Sequence, residues 1–272
     1  VQRHGVNVAV LADLQLARRL ELTEGHGNAA FVDAQARRDP ESGATWQRIG
    51  GTLAMFAGAG SPITQTFGLG MHEPLVDGDL DAIEQFFKTR GSPVFHEVCP
   101  LAGVEVYSKL TSRGYKPIEL SSVLFRDLAD QPANTTETVI RVRAVDPGEA
   151  ESYAQIAARG WFETPEVVPM LLGFARSSVE VGRCFIAELD GAAIATGALF
   201  IHNDVALLAG ASTVPEGRRR GAQSALLDGR LRAAAASGCT VAMVVAAPGS
   251  ASQRNAERNG FRIAYTRTKW QL

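Results

Sequence analysis

Three apolar runs, RCFIAEL, AAIATGALFI and VALLAGAST, follow one another between Arg183 and Thr213 with only short gaps between them. A connection of two or three residues cannot carry the chain over to a parallel neighbour; it can only reverse it. Asp190-Gly191 in the first gap and Asn203-Asp204 in the second suit tight hairpin turns. This stretch must therefore be an antiparallel meander, which excludes a doubly wound parallel sheet here.

The flanks extend the pattern. TVIRVRAV alternates apolar and polar residues and predicts a strand, and GEAESYAQIAARG predicts a helix after the Asp146-Pro147-Gly148 turn. Thr164-Pro165-Glu166 reads as a capped start of a second helix, which must bend or restart at Pro169. After the meander, VPEGRRRGAQSALLDGRLRAAAASG carries Ala222, Ala225, Leu226, Gly229 and Ala233 on one helical face, with Gly238 as its stop. TVAMVVAA is a strand covered on both faces, ASQRNAERNG a short helix and FRIAYTRTKW the last strand. Strand, two helices, three antiparallel strands, helix, strand, helix, strand is an α+β order.

The first half is harder to parse. A helix is predicted over VLADLQLARRLELTE, strands at TLAMFAG and PITQTFGLG, and a helix from Asp79 to Arg90. PVFHEVCP then reads as a strand, VEVYSKLTSRG as a helix and YKPIELSSVLFR as a strand. This tail repeats the order of the other one. Gly114 and Gly260 stand 146 positions apart, and the same spacing lays Gly103 on Gly249, Val98 on Val244 and Tyr115 on Phe261. A diverged duplication follows, with halves at 1–127 and 138–272 on either side of the polar, turn-rich segment DLADQPANTTE.

Composition removes whole classes. Over 272 residues, 46% hydrophobic and 21% charged residues exclude general disorder. A net charge of −2, from 27 basic and 29 acidic residues, argues against nucleic-acid and membrane-surface partners. No apolar run reaches the ~18 residues of a spanning helix, and the first 21 residues lack a signal-peptide core and cleavage site. Cys99, Cys184 and Cys239 are far apart within apolar runs, as buried thiols of a reducing, cytoplasmic setting would be. Five scattered His residues suggest no metal site.

The informative segment is Val214-Pro215-Glu216-Gly217-Arg218-Arg219-Arg220-Gly221-Ala222-Gln223-Ser224, between an apolar strand and a helix. A helix N-terminus preceded by Gly and Arg is an anion site: its first N–H groups lack internal partners, and the dipole and guanidinium forks favour phosphate. A solvated basic turn is the competing interpretation, and there is no GxxxxGK[ST] phosphate loop.

The second half resembles the GNAT superfamily of acyl-CoA-dependent N-acetyltransferases. The resemblance rests on three features: Arg218 to Leu227, similar to the family's R-x-x-G-x-G/A loop; Asn255, five residues before Gly260-Phe261; and the element order from Thr138 to Leu272. It implies two tandem GNAT-like domains, each a mixed, mostly antiparallel sheet flanked by helices, the first of them degenerate. It further implies that Arg219 to Ser224 hold the pyrophosphate of acetyl-CoA by their N–H groups, with Arg218, Arg219 or Arg220 assisting. Ser212, Thr213 and Val214 would pair with the pantetheine arm and Asn255 would touch its other side. The acetyl group would sit where VALLAGAST and TVAMVVAA splay apart. The implied reaction is acetyl transfer to a small-molecule or peptide amine, with no metal; a homodimer is left open.

Two departures stand out. Gln223 replaces a small residue of the loop, and Ala256 stands where many members carry the Tyr that protonates the leaving thiolate. Among candidate bases, His96 and Glu97 lie inside a strand and could face a pocket between the halves, although a salt-bridged pair is the commoner outcome. Glu21, Glu24 and His26 read as a solvated helix end, and Trp161-Phe162 as packing or a substrate wall. In the first half, the acidic segment Met71 to Gly78 replaces the phosphate loop and would repel pyrophosphate. A non-catalytic acyl-CoA-binding module or sensor is the alternative, and nucleic-acid binding through Arg218 to Arg220 a weaker third.

Overall fold

The computed structural model describes residues 11–129, 139–160 and 168–272. Thr164-Pro165-Glu166, Trp161-Phe162 and most of the polar segment between the halves lie outside them. The second half follows the sequence closely: β6 (Arg141–Ala144), α4 (Ala150–Arg159), α5 (Val168–Val181), β7 (Arg183–Leu189), β8 (Ala192–His202), β9 (Val205–Thr213), α6 (Ala222–Ala236), β10 (Val241–Ala246), α7 (Ala251–Arg258) and β11 (Arg262–Gln271). Pro169 is the second residue of α5, where a missing N–H does no harm. Asp190 and Asn203 take positive φ in the two hairpin turns.

The first half contains α1 (Leu14–Arg38), β1 (Thr45–Ile49), β2 (Thr52–Phe56), β3 (Gln65–Phe67), α2 (Asp77–Lys88), β4 (Phe95–Val98), α3 (Val104–Ser112) and β5 (Lys116–Asp127). Two expectations are corrected. The helix predicted to end at Glu24 runs 14 residues further, to Arg38. Gly25 serves packing: a Cβ there would lie 2.8 Å from Leu53 Cδ1 and 3.3 Å from Phe67 Cβ, so the bare backbone lets α1 press onto the sheet. The unpredicted strand β1 pairs with β2 through Gly50-Gly51, both at positive φ, a turn that a Gly-Gly dipeptide favours.

All strands form one sheet in the order β1-β2-β3-β4-β11-β5-β10-β9-β8-β7-β6. The two half-sheets are joined by exchange. β11, the last strand of the second half, lies between β4 and β5 of the first; β5, the last strand of the first half, lies between β10 and β11 of the second. The duplicated tails are alike in detail. Gly103, Gly114, Gly249 and Gly260 all have positive φ, and Tyr115 and Phe261 are both buried. One core packs α6 and α7 against β7 to β10. A second joins α1, α4 and α5 to the opposite face of the same strands. The three cysteines are buried and unpaired.

Candidate active site

β9 and β10 are parallel neighbours over only three positions, Val205↔Val241 to Leu207↔Met243. Beyond Leu207, β9 stays with β8 and β10 stays with β5, so a wedge opens between them. A bulge sharpens the divergence: Thr196 faces Ser212 but Ala198 faces Ala209, leaving Gly210 and Ala211 opposite the single residue Gly197. Gly210 has φ +60, the left-handed conformation that such a bulge calls for.

The bulge is held from behind by a residue that sequence reasoning missed. Arg230, on α6, is 3% exposed. Its Nη1 donates to the carbonyls of Ala198 (3.2 Å) and Ala209 (3.3 Å), and its Nε to that of Leu226 (3.2 Å). Gly197 makes room for it, since a Cβ there would sit 2.9 Å from the guanidinium carbon. Burial lowers the Arg230 pKa to about 10, which leaves it charged at neutral pH. No carboxylate pairs with it among the described residues. The available signal was a charge four residues after Leu226, on the apolar stripe of α6.

On the α6–α7 side of the sheet the wedge opens into a cavity of about 280 Å³, lined by Gly210, Gln223, Arg230, Val244, Ser252 and Asn255 among others. An adjoining cavity of about 260 Å³ lies at the start of α6, against Thr213, Arg218, Arg219, Gly221, Ser224 and Asn255. The structure thus brings together most of the residues singled out in the loop. After a single 3-10 turn (Pro215–Gly217), Arg219 at φ +61 and Gly221 at φ +85 turn the chain into α6. The first N–H groups of the helix have no carbonyl one turn back to bind. Gln223 and Asn255 line both cavities, and Gln223 Nε2 reaches back to Thr213 Oγ1 at 2.7 Å.

Three of the predicted residues sit differently. Arg220 is exposed and does not line either cavity. Ser212 is buried, its hydroxyl tied to Ala157 O and Thr196 Oγ1 at 3.0 Å each. Val214 is in the core and its N–H donates to Ile194 O, so that donor cannot serve a ligand. Ala256 is buried in the core under α7.

On the opposite side of the sheet lies a cavity of about 390 Å³, which shares Leu208, Ala209, Gly210 and Val245 with the first. The wedge is thus a window between two chambers. Phe31, Phe174 and Phe200 supply much of the far chamber's wall; Glu24 and Gln65 are among its polar members.

Glu24 belongs to a buried ionic cluster, and the expectation of a solvated helix end is overturned. Arg267 of β11, 2% exposed, donates to both Glu24 oxygens (2.8 and 3.1 Å) and to Glu21 Oε1 (3.3 Å), and its Nε pairs with Glu97 Oε2 at 2.9 Å. Tyr265 donates to Glu21 Oε1 at 2.8 Å. Burial pushes the carboxyls of Glu21 and Glu97 upward, and Arg267 opposes the shift. His96 is fully buried with Nδ1 2.7 Å from Thr66 Oγ1, and burial lowers its pKa to about 3. Neither His96 nor Glu97 lines a chamber described above. Of the two readings offered for the pair, the salt-bridged one describes Glu97, which Arg267 takes up, while His96 is held at the β3–β4 contact and neither faces a pocket between the halves.

Comparison with known proteins agrees with this architecture. Residues 150–261 match the acetyltransferase (GNAT) family. A GCN5-related N-acetyltransferase from Kribbella flavida superposes with a TM-score of 0.60 at 18% identity, over 89% of this chain and 95% of that one. Another, from Sphaerobacter thermophilus, gives 0.58 at 17%, over 97% and 93%. A tandem GNAT protein from the clavulanic acid biosynthesis pathway gives 0.59 at 14%, over 97% and 96%. No curated protein matches the chain by sequence. The fold and the matched family are those of acyl-CoA-dependent acyltransferases. Residues 150–261 carry the GNAT match, and the whole chain has the fold of these solved GNAT structures, the tandem one among them.

Proposed function

We propose that the chain transfers an acetyl group from acetyl-CoA to an amine, and that only residues 138–272 hold the cosubstrate. The observation that carries this reading is the wedge between β9 and β10, with the start of α6 at one end. The diphosphate lies against the first turn of α6 with Arg218 and Arg219 beside it. The pantetheine arm runs along the unpaired edge of β9 past Gln223 and Asn255. The thioester carbonyl reaches the bulge at Gly210, where a backbone N–H on the side of β9 that β10 has left receives the oxyanion. Arg230 fixes that backbone from behind and acts as a positioning residue.

The amine arrives through the window from the far chamber and attacks the carbonyl carbon. The ammonium first gives one proton to water; the C–N bond forms as the C–S bond breaks, and the thiolate leaves unaided by a tyrosine at 256 and takes up the second proton shed by the nitrogen. A free thiol has a pKa of about 8.5, so this leaving group is not a demanding one. Calorimetry with acetyl-CoA, followed by release of free coenzyme A in the presence of amines, tests the proposal. Micromolar binding and amine-dependent release are expected. Absence of heat at millimolar acetyl-CoA overturns the reading, and binding without release to any amine favours the binding-module alternative.

A further inference from the structure

The far chamber carries its own chemical signature. Gln65, on β3, is nine-tenths buried and lines the chamber, and its Oε1 has no hydrogen-bond partner among the described residues. An orphaned buried acceptor costs about 1–3 kcal/mol, so its presence in a cavity wall marks a place for a donor. Glu24 lines the same chamber. It is the least buried carboxylate of a cluster in which three acids, Glu21, Glu24 and Glu97, share the fully buried Arg267, with only the more distant Lys269 (3.9 Å from Glu97) to help. The field in the chamber therefore favours a cation. The rest of the wall is apolar and aromatic: Phe31 packs on Phe200 (5.3 Å between ring centres) and on Phe174 (6.1 Å).

We infer that the far chamber binds a primary ammonium carried on an aromatic body, with Glu24 and the Gln65 carbonyl oxygen receiving the N–H donors and Phe31, Phe174 and Phe200 enclosing the ring. The inference rests on the proposed function and names its acceptor class. The chamber's 390 Å³ is within the usual range for small-molecule sites. The shared residues Leu208 to Gly210 and Val245 open this chamber onto the window, through which the amine, once it has given a proton to water, reaches the thioester. An anionic or purely polar acceptor would leave the aromatic wall uncovered and the carboxylates unanswered.

The test is equilibrium binding of 2-phenylethylammonium to the full chain, with and without saturating coenzyme A. Ethanolamine and 2-phenylethanol serve as probes lacking the ring and the charge. The expected order is 2-phenylethylammonium tightest, with each control at least 10-fold weaker. Gln65→Leu should weaken 2-phenylethylammonium binding at least 5-fold without lowering Tm, because the residue it replaces makes no hydrogen bond through Oε1. Glu24→Gln should weaken it further but also disturbs Arg267, which is why Gln65→Leu decides. Equal affinity for ethanolamine, or an unchanged Kd in Gln65→Leu, overturns the inference while acetyl-CoA binding leaves the proposed function standing. Loss of acetyl-CoA binding alone overturns the proposed function and leaves the amine titration to be judged by itself.

Discussion

The two halves repeat one plan, and they differ most where the second half opens its wedge. Thr66↔His96 is the parallel pair of β3 and β4, and Ala206↔Ala242 that of β9 and β10; His96 and Ala242 are 146 positions apart, the spacing of the duplication. Four residues beyond Thr66 lies Gly70, and four beyond Ala206 lies Gly210. Across from them stand Val106 on α3 and Ser252 on α7, again 146 apart. In the first half this gap is shut: a Cβ on Gly70 would lie 2.6 Å from Val106 Cγ2. In the second half the same place is the 280 Å³ chamber. The helix starts differ as well. α2 begins with its own carboxylates, Asp79 capping the Val76 N–H at 3.5 Å and Asp77 held by Lys109 at 2.9 Å, whereas α6 begins with Arg218, Arg219 and Gly221. A repeated scaffold can thus keep its strands while a few side chains decide which copy is left with an open chamber.

The largest expected effect comes from giving α6 the charge of α2. Arg218→Glu with Arg219→Glu should raise the acetyl-CoA Kd by about 100- to 1000-fold, since charge-assisted contacts are worth about 1.5–3 kcal/mol each. Calorimetry would read this, and a Kd within threefold of the parent would break the comparison. Next, Ser252→Val copies the closure made by Val106. It should weaken acetyl-CoA about 10-fold by narrowing the chamber, with Tm nearly unchanged because Ser252 is exposed. The reverse change, Val106→Ser, should create no binding, because Asp77 and Asp79 still occupy the start of α2.

The smallest effect concerns the closed half alone. His96 has its pKa lowered to about 3 by burial against an ordinary 6.5, so the unfolded chain binds the proton more readily. Its contribution to stability is complete above pH 6.5 and is lost as pH falls toward 3. Between pH 6.5 and 5 this amounts to about 1.5 kcal/mol. His96→Asn should flatten the fall in Tm over that interval. Parallel Tm curves for the two proteins would show that another group governs it.

The second half was legible because its local signals agree: hairpin dipeptides, the Asp146-Pro147-Gly148 turn before a helix and the loop at Arg218 to Ser224 all act over a few residues. Gly25, next after the predicted end of α1, hid the rest of the helix, since a glycine required by close packing looks like one that ends a helix. Glu21 and Glu24 misled for a related reason. A charge run near an expected helix end suggests solvent, but Arg267, more than 240 positions away, supplies the partner that buries it. Gln65 and Arg230 gave little signal, because an orphaned oxygen and a guanidinium behind a bulge exist only once distant strands meet. The wedge could be expected only through resemblance, since nothing local in VALLAGAST or TVAMVVAA states where their pairing stops.

The exchange of β5 and β11 has a mechanical consequence. Each half carries a strand that is useful only inside the other's sheet, so a half excised alone would present a raw edge and lack a rib of its own. Neither copy can drift away or be discarded by truncation. The first half, with no arginine loop at its α2, is the clasp that completes the sheet of the second.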